Sequence, residues 1–214
     1  MKMRIHPQNK YAKFLSSNHE TSERSRDLCN SVKMEGEIPT IYLYDVIDSD
    51  DYWGFTPKQM ALLLSEITAP EVNLRIDSPG GSMFAARAMF SQLSQHPAKV
   101  NVFIDGLAAS AATTVAMAAD KVTMTEGAFF MIHNAWMYTG GDKAELRKAA
   151  DELEVVEQAA IDDYVRVSNA SEETIKGWMN AETWFSAEQA KEHGFITDIY
   201  KHDSGAKNKI NWDL

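Results

Sequence analysis

Three short stretches carry residue types that together could perform acyl transfer. Gly106-Leu107-Ala108-Ala109-Ser110-Ala111-Ala112 sets a serine among alanines, after the strand-like run Val100-Asn101-Val102-Phe103-Ile104 and before a helix-like run over 111–119. Such a serine is sterically open and lies near a helix N-terminus, where backbone N–H groups and the dipole favour negative charge. An ordinary N-cap serine has the same surroundings. Met131-Ile132-His133 ends an apolar run on a histidine, either a base at the sheet edge or a buried ring bonded to the backbone. Ser78-Pro79-Gly80-Gly81 follows an alternating run. Its glycine pair lets the backbone approach a substrate closely, or simply makes a tight turn. An acyl-transfer site needs a nucleophile, a base, an acid to hold the base, and donors for the oxyanion. Ser110 and His133 suit the first two roles. The N–H groups of Gly81 and Ala111 are the natural donors, since the residue after a nucleophile often donates. Chain order leaves the acid open among Asp120, Glu126, Asp142 and Glu182. Of the remaining histidines, His6, His19 and His202 lie in polar ends, while His96 and His193 fall in last helical turns, where the dipole favours a cation.

The elements that must position these residues read as β-α-β-α-β-α-β-β. Strands are expected at 38–46, 71–77, 99–105, 121–124 and 129–132, where β-branched, aromatic or alternating apolar residues cluster. A helix opens at Thr56-Pro57-Lys58-Gln59, a capping box with proline at the first helical position, and runs to about residue 67. A second runs from about Ser82 to His96. Strands alternating with helices imply a parallel sheet with right-handed crossovers, and such sheets carry their sites beyond the C-terminal strand ends. Gly80-Gly81, Ser110 and His133 each stand just after a strand, so one sheet edge should hold all three. A long helix follows from about 142 to 167, with Leu146, Ala149, Leu153, Val156, Ala160, Tyr164 and Val167 on one seam. That seam should pack on another helix, most simply a symmetry mate, with an antiparallel hairpin inside one subunit as the alternative. A short helix at 171–179, a capping box at Ser186-Ala187-Glu188-Gln189, a C′ glycine at Gly194 and a strand at 195–200 complete the chain. Residues 1–36 read as a mobile arm with a turn-like end at 33–37, residues 37–200 as one domain, and 201–214 as a polar tail.

The bulk numbers narrow the function classes. At 214 residues, 44% hydrophobic and 24% charged, the chain can bury a real core. A net charge of −10 argues against binding a phosphate backbone. The single cysteine, Cys29, excludes an intramolecular disulfide and fits a reducing compartment. There is no apolar run long enough to span a bilayer, and no apolar leader at the N-terminus. The expected setting is therefore the cytoplasm, with neither membrane nor nucleic acid as partner. No phosphate-binding Gly-x-x-x-x-Gly-Lys motif and no metal-spaced His/Cys cluster occurs, so neither cofactor nor metal is expected.

Ile76-Asp77-Ser78-Pro79-Gly80-Gly81, then Gly106 to Ala111, then Met131-Ile132-His133, then Glu182-Thr183-Trp184-Phe185-Ser186-Ala187 resemble, in order and spacing over about 38–200, the Clp protease proteolytic subunit. The phage and prophage branch, the ClpP-like head maturation proteases, is similar in its Ala-Glu-Thr-Trp-Phe segment. The resemblance implies an α/β fold of the ClpP/crotonase type: a ββα spiral with a long protruding handle helix at about 142–168. It implies homo-oligomeric rings, heptamers or stacked double rings, with the sites inside a chamber. It implies a serine endopeptidase with Ser110 as nucleophile, His133 as base, and Gly81 and Ala111 forming the oxyanion hole. Glu182 falls where the family carries its aspartate. The sequence departs from the family there, in Asn134-Ala135-Trp136-Met137-Tyr138 after the histidine, and in its N-terminal arm, which matches no axial loop. The implied substrate is a polypeptide bound by strand addition. It is either capsid or scaffold protein during prohead maturation, or unfolded protein supplied by an unfoldase ATPase. A crotonase-like acyl-CoA enzyme and an inactive assembly subunit are the competing classes. The serine–histidine pair argues against the first.

Overall fold

Alternating apolar residues decide which face of the sheet is buried. The computed structural model describes residues 32–50 and 53–201. In it β2 (Ile38–Leu43), β3 (Glu71–Ser78), β4 (Lys99–Ala109) and β5 (Lys121–Thr125) run parallel. The register sets Ile41 beside Leu74, Leu74 beside Val102, and Val102 beside Val122. One face thus becomes a continuous apolar stripe. Met60, Leu63 and Leu64 of α1 (Pro57–Ser65) and Ala85, Ala86, Met89 and Leu93 of α2 (Met83–Gln95) join it in one core. Thr56 and Gln59 make the reciprocal capping box that starts α1. The intervening residues point the other way: Tyr42 pairs with Arg75 and Arg75 with Phe103. There the Arg75 guanidinium bonds Asp105 through Nε at 2.8 Å and reaches Glu35 at 3.2 Å.

β4 is longer than its partners, and its far edge changes hands. Residues 101–104 pair with β5, and Leu107, Ala108 and Ala109 pair with β6 (Phe129–Ile132). β7 (Thr183–Phe185) adds to β6 antiparallel, and β8 (Asp198–Tyr200) extends β5. The short α3 (Ala111–Ala116) leaves the end of β4. Behind β6, α4 (Lys143–Val167), α5 (Glu172–Asn180) and α6 (Ala187–Glu192) enclose an aromatic cluster. In it Phe130 stacks on Phe195 at 5.0 Å, and Trp178, Phe185 and Tyr164 meet their neighbours edge-on.

The long seam is divided. Ala160 and Tyr164 at the C-terminal end of α4 lie in this chain's own core, whereas Leu146 near its start is 47% exposed and Leu153 and Val156 between them are half-buried. Buried Asp163 anchors that end, contacting Arg87 of α2 and Arg166 one turn on. Both guanidiniums lie over the ring of Phe90, at 4.8 and 5.2 Å.

Several boundaries move. Lys33–Glu35, read as turn-like and as part of the arm, is strand β1, paired antiparallel with β2 around Gly36. The first long strand stops at Leu43. The strand expected to end at 105 continues to Ala109, because β6 takes up its edge as β5 leaves. β7 is an additional strand, and β8 is shorter than expected, since Phe195 and Ile196 turn into the core before it. The expected arm up to residue 31 and the tail beyond residue 201 lie outside the described residues.

Candidate active site

The end of β4 makes an abrupt turn. Ser110 adopts φ 54° and ψ −127°, a conformation that L side chains avoid and that costs about 1–3 kcal/mol. It stands in the N-cap position of α3, yet its side chain makes no capping bond. The hydroxyl instead meets His133 Nε2 at 2.7 Å. Its backbone is not the extended one typical of a serine whose side chain caps a helix. The Ser110 N–H donates to the Met131 carbonyl at 2.8 Å, continuing the β4–β6 ladder by one bond. The serine and the histidine two residues beyond Met131 are thereby held on the same strand ends.

Gly80 and Gly81 are where the backbone must be bare. A Cβ on Gly80 would lie 2.4 Å from the Ala109 carbonyl oxygen, 2.8 Å from the Ala111 nitrogen and 2.9 Å from the Ser110 Cβ. Gly80 is thus pressed against the elbow itself. A Cβ on Gly81 would lie 2.1 Å from the Ile47 carbonyl oxygen. Ile47 accounts for that approach. Its N–H donates to the Gly80 carbonyl and its carbonyl accepts from the Ser82 N–H, both at 2.8 Å. These bonds flank Gly81 and leave its N–H on the opposite side from Ile47. Buried Ser78 donates to the Asp45 carbonyl at 2.6 Å and accepts the Gly80 N–H at 3.2 Å, which stiffens the turn.

Glu182 stands immediately before β7. β6 and β7 pair Phe130 with Phe185, Met131 with Trp184, and Ile132 with Thr183. The pairing ends there, one residue short of both His133 and Glu182. Glu182 itself has φ 51°, and its N–H donates to the Met179 carbonyl at 3.1 Å at the end of α5. Beside it, the Asn134 side chain donates to Asn180 at 2.8 Å and ties the loop after the histidine to the turn before the glutamate.

The other three acids occupy other places. Asp120 accepts the Val100 N–H at 2.8 Å, at the end of β4 remote from Ser110. Glu126 lies in the turn before β6, at the end opposite His133, where its N–H bonds Tyr200. Asp142 caps α4, accepting from Ala144 and Glu145. The remaining described histidines are engaged elsewhere: the His96 ring bonds Leu64 and Ala98, and His193 packs on Trp178. Both stand at the C-caps of their helices, α2 and α6, as expected. β6 is paired along both edges, with β4 and with β7. Near the site, burial and neighbouring Asp105 raise the Asp77 carboxyl above its usual range, while the Leu107 N–H pulls it back.

Residues at the elbow that sequence reasoning passed over are Thr113 and Tyr164. The Thr113 hydroxyl donates to the Ser110 carbonyl at 2.5 Å and meets the Tyr164 hydroxyl at 2.5 Å. Thr113 reads as a helix residue and Tyr164 as a seam residue. Nothing in their separate stretches signals that they meet.

Known proteins resemble this arrangement. A family model described as Clp protease matches residues 21–203. A Streptomyces avermitilis protein named ATP-dependent Clp protease proteolytic subunit 1 is 33% identical over 143 residues, covering 66% of this chain and 66% of its own length. A Corynebacterium jeikeium protein of the same name is 27% identical over 143 residues, covering 66% of this chain and 76% of its own length. Among solved structures, a ClpP1 point mutant from Listeria monocytogenes superposes with a TM-score of 0.64 at 21% identity, covering 85% of this chain and 96% of that one. That likeness speaks for the fold, the ββα spiral with a long helix. Among the described residues no helix is long and apolar enough to cross a membrane.

Proposed function

The chain belongs to the Clp protease family, and from that premise we propose that it is a serine endopeptidase, the proteolytic subunit of a Clp-type ring. Ser110 Oγ attacks the peptide carbonyl carbon while His133 Nε2 takes its proton. The carbonyl oxygen becomes an oxyanion that the N–H groups of Gly81 and Ala111 stabilise. His133 then hands the proton to the departing amine, and the peptide C–N bond breaks. Water, deprotonated by His133, hydrolyses the Ser110 ester and frees the serine. Glu182 orients the ring and stabilises the imidazolium. A longer acid than aspartate suits a backbone set back at a left-handed turn. The observation that carries the reading is the 2.7 Å contact between Ser110 Oγ and His133 Nε2, made by a serine whose side chain makes no capping bond.

A fluorophosphonate probe tests it. The full-length protein should gain one adduct, mapped to Ser110 by peptide mass spectrometry, and lose peptidase activity in step. An adduct that persists in Ser110→Ala sinks the assignment.

Two settings divide on what feeds the site. The relatives' names, which call them ATP-dependent, support substrate supplied by an ATPase. The Glu182-Thr183-Trp184-Phe185 segment supports the second reading, capsid or scaffold cleavage during prohead assembly. Incubating the ring with an unfolded protein, with or without an unfoldase, and separately with a co-encoded coat protein distinguishes them. In both settings the exposed start of α4 supports ring assembly, and a monomer by light scattering at micromolar concentration would count against it.

A further inference from the structure

The elbow's carbonyl is held from outside the serine–histidine pair. The Ser110 C=O accepts twice from Thr113, from its N–H at 2.9 Å and from its hydroxyl at 2.5 Å. A threonine hydroxyl carries a single proton. Once that proton is directed at Ser110, the 2.5 Å contact between Thr113 Oγ1 and the Tyr164 hydroxyl must have tyrosine as the donor. The order is therefore Tyr164 O–H to Thr113 Oγ1–H to Ser110 C=O. Full burial pushes the Tyr164 pKa up to about 12, so the phenol keeps its proton over the working range.

The direction of that carbonyl matters because of what shares its plane. The Ser110 C=O and the Ala111 N–H belong to one planar trans peptide and point opposite ways. Fixing one fixes the other. The Ser110 dihedrals do not hold this plane unaided, since they are disfavoured for any residue with a side chain. Donors on the carbonyl also polarise the peptide and strengthen its N–H as a donor.

We propose that Thr113 and Tyr164 are positioning residues that aim the Ala111 N–H at the oxyanion, so that the base of the long helix α4 sets the geometry of the oxyanion hole. The proposal rests on the peptidase reading. It makes α4 part of the site's machinery, because a shift of its C-terminal turn withdraws the phenol from Thr113 and frees the peptide plane. Asp163, in contact with Arg87 and Arg166, fixes the same turn against α2, adjacent to Tyr164.

The test compares Tyr164→Phe, Thr113→Val and Thr113→Ser with the parent in the assembled full-length protein. Active sites are counted by fluorophosphonate, so every rate is per competent serine. A peptide boronate measures oxyanion binding, because its tetrahedral adduct places an oxygen at that position. Losing one oxyanion donor outright costs about 10²–10³ in kcat, and misaiming one should cost about tenfold. Tyr164→Phe and Thr113→Val should lower kcat and boronate affinity together by that factor, with KM and the His133 limb of the pH profile unmoved. Thr113→Ser, which keeps the hydroxyl, should restore both. A merely structural role would lower the melting temperature and the count of competent sites while leaving kcat per site and boronate affinity unchanged, and that result overturns the proposal. If Tyr164→Phe does not assemble, the Val/Ser pair at Thr113 decides alone: equal values per site for the two overturn it. A parent that takes no label at Ser110 ends the peptidase reading, and this proposal with it. A labelled parent with indifferent variants ends only the positioning.

Discussion

Ser110 and Glu182 are the non-glycine residues with positive φ among those described, at 54° and 51°, and they are held by different means. The serine's turn is clamped from all sides. Met131 accepts its N–H, Thr113 bonds its carbonyl twice, and Gly80 leaves no room for a Cβ between itself and the elbow. Ala109 and Ala111 on either side are buried. The glutamate's turn sits at a partly exposed corner, where α5 ends and a three-residue strand begins. Strain persists only where the surroundings over-determine it. At Ser110 packing does this, and at Glu182 the pairing of β6 with β7 and the Met179 bond contribute. Changes to the elbow's backbone packing should therefore link activity to stability, whereas changes at the glutamate corner should separate them.

That difference can be broken most directly at the nucleophile. Ser110→Ala should abolish cleavage, a fall on the order of 10⁴-fold or more, with His133→Ala adding little on top because the two act as a unit. Fold and assembly should survive, as circular dichroism and light scattering would report. The next largest effect is expected at Gly80→Ala. The new Cβ meets the elbow's backbone at 2.4 and 2.8 Å, at a residue with φ 86°. Overpacking and backbone strain together should cost about 3 kcal/mol and about a hundredfold in rate. A Gly80→Ala protein that is both stable and fast would show that the elbow is not clamped as described.

Glu182→Gln sharpens the other side of the comparison. Loss of the acid that orients the imidazole should lower kcat by about 10³-fold at little change in melting temperature. Glu182→Gly should lose as much activity without loss of stability, because glycine takes φ 51° without strain and so offsets its larger unfolded-state entropy. A Gln variant with near-parent rate would move the role to another acid.

The smallest effect concerns Asp163, which ties the α4 end to α2. Burial raises its carboxyl above the ordinary range, against the pull of Arg87 and Arg166. A native pKa above the unfolded one means the native state keeps its proton longer. Stability therefore falls as pH rises from the ordinary carboxylate value to the raised one, and is flat beyond. Asp163→Asn should lose that slope in urea unfolding. At neutral pH it should change stability by about 1 kcal/mol, since Arg87 and Arg166 are 38% and 55% exposed and can turn to water. An unchanged slope would assign the pH dependence to another group.

Much of the site is legible locally. Ser110, His133 and the Gly80-Gly81 pair each follow their own strand directly, and the handedness of parallel crossovers brings such positions to one edge without further information. The capping boxes at Thr56, Asp142 and Ser186 are likewise complete within four residues. Other elements are not legible. Strands β1 and β7 are three residues each, too short to show a period. β4 reads as ending before Gly106 because glycine interrupts the pattern, yet it continues, since a new partner arrives on its edge.

The sequence by itself determined the parallel sheet, the serine at its strand-to-helix switch and the histidine that could serve it, because periodicity, capping and crossover hand are short-range properties of the chain. Only the tertiary structure decided that Glu182 stands at the start of the strand that pairs with β6, and that Tyr164 reaches the elbow through Thr113. Both depend on antiparallel return and helix docking between segments far apart in the chain. Their register is set when the core closes and by no residue alone.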